Sequence, residues 1–257
     1  MGLTRVYHIE ALGQWTPEAA RQVYGGCIVD STRRLAGALA LFGGFIDPDG
    51  FDRSYLDLKL ALSFLLSKEF SFGMGGRYLK LDQEGYGPLG DSRASGGLLD
   101  PDDMPQGRDA LVNTVTFDAG LVLRATDELH IGVVGKNLAY ADNALLPTTL
   151  GGGVGYGSED FSIEVDGLAD FNSWLDISGR VMAGGEYLAG DHFPLRLGYR
   201  FDQGAMSHEL SGGLGYVERR FSVEASVRRT LAGPSATLIF VGLAYHLESS
   251  GLIGIAQ

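Results

Sequence analysis

Three carboxylates lie where acid and base chemistry would need them. Asp118 sits in one alternating segment, and Glu164 and Asp166 sit in another, two residues apart and so on one face of an extended chain. Carboxylates placed in this way can hold a proton and pass it on. Their surroundings point to a different use. The alternating segments also carry Asp57, Lys59, Arg77, Arg124, Lys136, Arg180, Glu186, Arg196, Arg200, Glu224 and Arg228, with both signs often two residues apart on one face. Charges mixed in this way pair across strands, and inside a barrel they set the field that a passing solute meets. The expectation is therefore fourteen lumen-lining selectivity residues and no catalysis.

Other routes to chemistry find little support. His8, His130, His192, His208 and His246 are scattered, with no pair at metal-ligand spacing, so no metal is expected. No G-x-S-x-G motif occurs, and the glycine clusters within the alternating segments do not fit G-x-G-x-x-G or lead into a phosphate-loop lysine. The acidic groups Asp47, Asp49 and Asp52, and Asp100, Asp102 and Asp103, lack the spaced ligands and distal glutamate of an EF-hand and read as solvated turns. Cys27 is the single cysteine, which rules out an internal disulfide, and it reads as a small buried or lipid-facing residue. No cofactor is expected, and the chain reads as a protein other than an enzyme.

The elements that must hold these charges are strands. Leu150 to Val165 recurs without a gap as Leu210 to Ala225, with eight of sixteen positions identical, among them Gly153, Tyr156, Phe161 and Glu164 against Gly213, Tyr216, Phe221 and Glu224. Each copy reads as strand, polar turn and strand, a hairpin with one apolar face, and its recurrence marks a protein built by repeating hairpins. In Ser54 to Leu66, Leu56, Leu58, Leu60, Leu62 and Phe64 alternate with Tyr55, Asp57, Lys59, Ala61 and Ser63. Thr114 to Arg124, Phe161 to Phe171, and the runs through Leu195 to Phe201 and Phe221 to Arg228 alternate as cleanly. Weaker segments lie near residues 4–15, 20–31, 33–43, 69–81, 129–140, 177–188 and 235–247. Together they make about fourteen strands, an even number that lets an up-and-down sheet close without a bare edge. Thr16, Pro17 and Glu18 resemble a helix start, but Gly25 and Gly26 follow closely, so a turn or a single helical turn is expected. Leu81 to Leu111 shows no strand period and reads as a long surface loop at about 82–112 in a single domain spanning 1–257.

Which solvent meets the apolar face follows from the other face. The outside of a soluble barrel is rich in long charged residues and poor in glycine. Here the polar set mixes Gly, Ser and Thr with isolated charges of both signs, which suits a crowded polar lumen. The 39 glycines sit inside apolar stretches, and the mean hydropathy is +0.05, near neutral, as it is when a polar lumen offsets a lipid-facing exterior. No run of about eighteen apolar residues occurs, so a helical span is not expected. Aromatics gather toward strand ends, as Phe70 and Tyr78, Phe161 and Phe171, Phe193 and Phe201, and Trp174 do, the placement of interfacial girdles. A formal charge of -12 argues against nucleic acid as a partner. The fold class read here is all-β, an antiparallel transmembrane β-barrel of about fourteen strands, lipid-facing on its Leu56, Leu58 and Leu60 side.

Gly132 to Leu138 (GVVGKNL), Leu146 to Gly153 (LPTTLGGG), Pro194 to Asp202 (PLRLGYRFD) and Val29 to Gly37 (VDSTRRLAG) together resemble the FadL and PorV-like group of long-chain fatty-acid-transporter-like outer-membrane barrels. The resemblance implies fourteen strands, a place in the bacterial outer membrane among its lipids, and passage or uptake of a small hydrophobic molecule. Its PorV-like members imply an alternative, a structural barrel that anchors or shuttles a secreted or envelope protein. Members usually carry a signal peptide and an N-terminal plug with an Asn-Pro-Ala motif, and this chain starts after where these would lie. They also tend to end on an aromatic residue, whereas Tyr245 and Leu247 are followed here by ESSGLIGIAQ.

Overall fold

The computed structural model describes residues 5–30, 35–47, 53–84, 108–139 and 146–249. These residues form fourteen strands: β1 Arg5–Thr16, β2 Arg21–Asp30, β3 Leu35–Ile46, β4 Arg53–Leu65, β5 Phe70–Glu84, β6 Arg108–Arg124, β7 Leu129–Lys136, β8 Thr149–Gly157, β9 Phe161–Asp170, β10 Ser178–Ala189, β11 Phe193–Asp202, β12 Ser207–Val217, β13 Phe221–Ala232 and β14 Thr237–Ser249. Each pairs antiparallel with its neighbours in sequence, and β1 pairs with β14, so the sheet closes on itself. Every segment read as a strand is one. Pro17–Ala19 is a single 3-10 turn, the one-turn outcome expected at that proline. Of the expected loop at 82–112, residues 85–107 lie outside the described residues, and β5 and β6 extend into both of its ends.

Residues opposite each other in a ladder share a face, so the register carries the facing of one strand around the whole barrel. Ile9 lies opposite Ile28, Ile28 opposite Leu39, and Leu39 opposite Leu60. On the far side Val154 lies opposite Val165, Tyr199 opposite Leu210, and Val223 opposite Leu243, which itself faces Ala11. All the residues of this series except Ala11 are exposed large side chains. The outer surface is therefore a continuous apolar belt. The interior holds the alternate residues. The two register shifts, at Leu81/Asp82 and His208/Glu209, lie toward one end of their strands.

The two ends of the barrel differ. At the turn end, the connections 66–69, 125–128, 158–160, 190–192 and 218–220 have three or four residues. Three of them share one device. The hydroxyls of Ser67 and Thr126 accept from the backbone amides two and three residues on, at 3.0 to 3.2 Å, and donate to Glu69 and Glu128, while Ser158 accepts from the Phe161 amide. Such local bonds satisfy amides that the ladder cannot reach and fix a tight reversal. The loop end carries the longer connections, including 85–107 and 137–148. Outward-facing aromatics also gather at the ends. Tyr156 packs on Phe161, Phe193 on Tyr216 and Tyr216 on Phe221 at the turn end, and Trp15 meets Tyr24 at the loop end.

Inside the loop end, Leu79 and Leu81 of β5 and Val112 of β6 form an apolar cluster with Leu146, with Tyr55 of β4 packed against it. Leu146 belongs to the connection between β7 and β8 and is 0% exposed. That connection is tied to the wall by Asn137, whose φ of 53° is one that asparagine tolerates. The Asn137 amide donates to Asp118 at 2.7 Å, and its side-chain nitrogen donates to the Pro147 carbonyl at 2.8 Å.

Candidate functional site: the barrel interior

The register places all fourteen of the charged residues singled out in the sequence on the face opposite the apolar belt, where three groups of contacts form. On β4 and β5, Asp57 is 5% exposed and takes a bidentate pair from Arg77, Nε to Oδ1 and Nη2 to Oδ2 both at 2.9 Å, with the Lys59 ammonium 3.3 Å from Oδ2. A planar guanidinium matches a carboxylate in this fork geometry, which fixes both side chains. On β10 to β13, Arg196 donates to Glu186 at 2.5 Å and also to Glu224. Arg180 donates to Asp202 at 2.7 Å, and Arg200 to Glu209 at 2.8 Å, while Arg228 lies 3.1 Å from the other oxygen of Glu209. The third group, Asp118, Lys136, Glu164 and Asp166 on β6, β7 and β9, borders a cavity. Arg124 closes β6 at the turn end, opposite His130.

Glycine decides where these side chains can lie. Arg196 and Glu224 stand on β11 and β13, with β12 between them. Their neighbours on that strand are Gly213, opposite Arg196, and Gly215, opposite Glu224, so the ion pair passes over a strand with no side chain in the way. The repeated hairpin treats its other glutamate in the same way. Glu164 lies between Gly155 and Gly184, as Glu224 lies between Gly215 and Gly242. A Cβ on Gly153 would collide with the Asp166 carboxylate.

The cavity has a volume of about 900 Å³ and lies inside the barrel against β2 to β10, reaching from Ala36 and Ser71 near the turn end to Lys136 and Leu168 near the loop ends of their strands. Its origin is legible in the inner faces of β5 to β8, which present Gly73, Gly75, Gly120, Gly132, Gly151, Gly153 and Gly155 and so leave open the space that side chains would fill. Ala61, Val122, Leu168 and Met182 give the rest of the wall an apolar character, and the four charged residues above edge it.

Alternation reached further than the residues singled out from it. Asp202 continues the face of Arg196 and Arg200, and Glu209 alternates with Leu210 and Leu214, so both could have been found by extending the pattern. Arg21 could not. On β2 the inner set, with Val23, Cys27 and Val29, is as apolar as the outer set with Tyr24 and Ile28. Cys27, expected to be buried or lipid-facing, is half-buried on the inner face, with its thiol donating to Glu10 at 3.5 Å. His8 and His246, which sequence spacing leaves unpaired, meet at the β1–β14 seam with Nδ1 atoms 2.6 Å apart. Closure of the sheet brings together residues 238 apart. No group of three or more metal-binding side chains occurs among the described residues.

No protein-family model matches the chain, and no curated protein matches it by sequence. Solved structures do match it. The CymD monoaromatic hydrocarbon channel aligns with a TM-score of 0.65 at 13% identity, over 96% of this chain and 88% of that one. The toluene transporter TbuX of Ralstonia pickettii aligns with a TM-score of 0.65 at 11% identity, over 96% and 90%. A FadL homologue from Pseudomonas aeruginosa aligns with a TM-score of 0.56 at 14% identity, over 95% and 88%. The expectation of an assembly or shuttle barrel gains no support from these structures. From its first strand to its last, the chain has the fourteen-strand barrel fold of the FadL-like channels.

Proposed function

We propose that this protein is an outer-membrane channel for a small hydrophobic molecule. The observation that carries the reading is the cavity of about 900 Å³ inside the closed barrel, with its glycine and apolar lining. A pocket of that size encloses a small apolar solute, and apolar walls favour its transfer out of water. The outer belt supports the membrane half of the reading, since a contiguous exposed apolar surface of this extent calls for a nonpolar solvent. The hydrocarbon and toluene channels with the same fold point to the same class of cargo.

On this reading the fourteen charged residues set selectivity. The pairs of Asp57 with Arg77 and of Arg196 with Glu186 and Glu224 offset charge within the wall, and the glycine-lined space beside them is the region least costly for an apolar solute to enter. The test is uptake of labelled toluene by cells that carry the barrel in their outer membrane, compared with cells carrying V122W or L168W. Both substitutions place an indole in the cavity while leaving the outer face untouched. Uptake above the vector control that falls in both variants is expected. Uptake equal to the control, or unaffected by filling the cavity, refutes the proposal.

A further inference from the structure

The two copies of the repeated hairpin differ at one place that the register identifies. In the second copy Glu224 is met by Arg196, which stands on β11 opposite Gly213 and reaches across β12. In the first copy Glu164 takes the place of Glu224 and Gly153 that of Gly213, and the residue opposite Gly153 on β7 is Gly132. The carboxylate recurs without its guanidinium. The other partner of Arg196 has no counterpart either, since Glu186 faces Arg196 on β10 whereas Val122 faces Gly132 on β6. A second acid is added instead. Asp166 stands where the other copy has Ser226, and its carboxylate leans over Gly153, the neighbour of Gly132 in the ladder.

The place left by the missing arginine is open space, because Gly132, Val122, Gly153, Gly155, Glu164 and Asp166 all border the cavity. Glu164 and Asp166 interact with one another, and among the described residues neither forms an ion pair with Lys136 or His130, the basic residues on the cavity edge. Two carboxylates on one face repel unless a proton or a cation lies between them, and in the second hairpin the chain supplies a guanidinium of its own. We infer that the cavity binds, at Glu164 and Asp166, a small organic cation with N–H donors on an apolar body, of the arylamidine or arylalkylamine class, its cationic group taking the place that Arg196 fills in the second hairpin. Val122, Ala61 and Met182 give the apolar body a wall to lie against. The inference rests on reading the cavity as the cargo space, and it extends the cargo from hydrocarbons to their cationic derivatives.

The test is calorimetric titration of the whole barrel, in maltoside detergent at neutral pH, with benzamidine, its neutral isostere benzamide, and benzoate. Benzamidine is expected to bind saturably at one per barrel, benzamide about tenfold or more weaker, and benzoate not at all, as charge-assisted hydrogen bonds to carboxylates require. E164Q/D166N should weaken benzamidine to the level of benzamide. G132R, which builds the arginine of the second hairpin into the first, should abolish benzamidine binding, whereas G132M, which fills space without the charge, should weaken benzamidine and benzamide alike. Absence of saturable benzamidine binding, benzamide binding as tightly as benzamidine, or a folded E164Q/D166N barrel that binds benzamidine unchanged would overturn the inference. If that variant does not fold, the comparison of the three ligands on the unaltered barrel decides it. Toluene uptake by cells without benzamidine binding by the barrel removes the cation site and keeps the channel; benzamidine binding without toluene uptake removes the hydrocarbon channel and keeps the site.

Discussion

A charge moved by one residue along β4 should distinguish lipid from water on the two faces of the barrel. Leu60 lies near the middle of the strand, 52% exposed on the outer belt between Leu39 and Gly76. Ala61 faces inward between Ala38 and Gly75 and borders the cavity. Thirteen residues at about 3.3 Å each, tilted by about 45°, rise about 30 Å, which matches the hydrocarbon core and puts Leu60 near its midplane. An arginine on the lipid face at that depth costs about 2 to 4 kcal/mol. At about 1.4 kcal/mol per factor of ten, L60R should shift the folding equilibrium roughly 30- to 700-fold toward the unfolded chain. A61R puts the same guanidinium beside small neighbours and one strand away from the Asp118 carboxylate, which lies opposite Gly75, and should cost less than about 1 kcal/mol. Both can be measured by refolding from a urea series into phosphatidylcholine vesicles, with the folded fraction read from gel mobility without boiling. Equal costs for the two variants, or no cost for L60R, would show that the outer belt does not meet hydrocarbon.

Two further predictions concern the ladder and the loop-end rim. Glu18, in the β1–β2 turn, accepts from the Thr237 hydroxyl at 2.7 Å, the Thr237 amide at 2.9 Å and Arg229 at 2.9 Å. These donors, Thr237 first, hold its pKa at about 2, down from the usual 4.5. A depressed carboxylate pKa favours the folded state above the unfolded value, and that contribution disappears as pH falls through the folded one. The melting temperature of the wild-type barrel should therefore drop between pH 4.5 and 2 by an increment that E18Q lacks; identical pH profiles would show that the latch contributes nothing. On the wall, a Cβ at Gly25 would come 2.5 Å from the Leu41 carbonyl oxygen, and one at Gly76 would meet nothing within 4 Å. G25A should destabilise the barrel by about 1 to 3 kcal/mol, as overpacking does, with G76A close to neutral in the same urea titration.

The strands were readable because alternation is a local property. In β4, β6, β9, β11 and β13 one face is Leu, Val and Phe and the other is polar, so the facing of each residue follows from its neighbours two positions away. Short turns were readable for the same reason, since Ser67, Thr126 and Ser158 bond amides within three residues of themselves. Where the two faces are chemically alike the signal fails, and Arg21 on β2 went unnoticed among Val23, Cys27 and Val29. Leu146 gave no signal at all. It lies just before β8, and its burial depends on β5 and β6 passing beneath it.

Taken by itself, the sequence determined the class of protein: alternating segments of barrel-strand length, an even count, an apolar face and a polar one with mixed charges. These follow from a side-chain period of two and from the solvent each face must meet. Partners were a matter for the tertiary structure. Arg196 reaches Glu224 because a glycine-bearing strand lies between them, and His8 meets His246 because the first strand closes on the last. Each of these contacts depends on register and closure. Both are set by the whole ladder acting together, and a window of neighbouring residues carries no information about which distant strand will stand opposite.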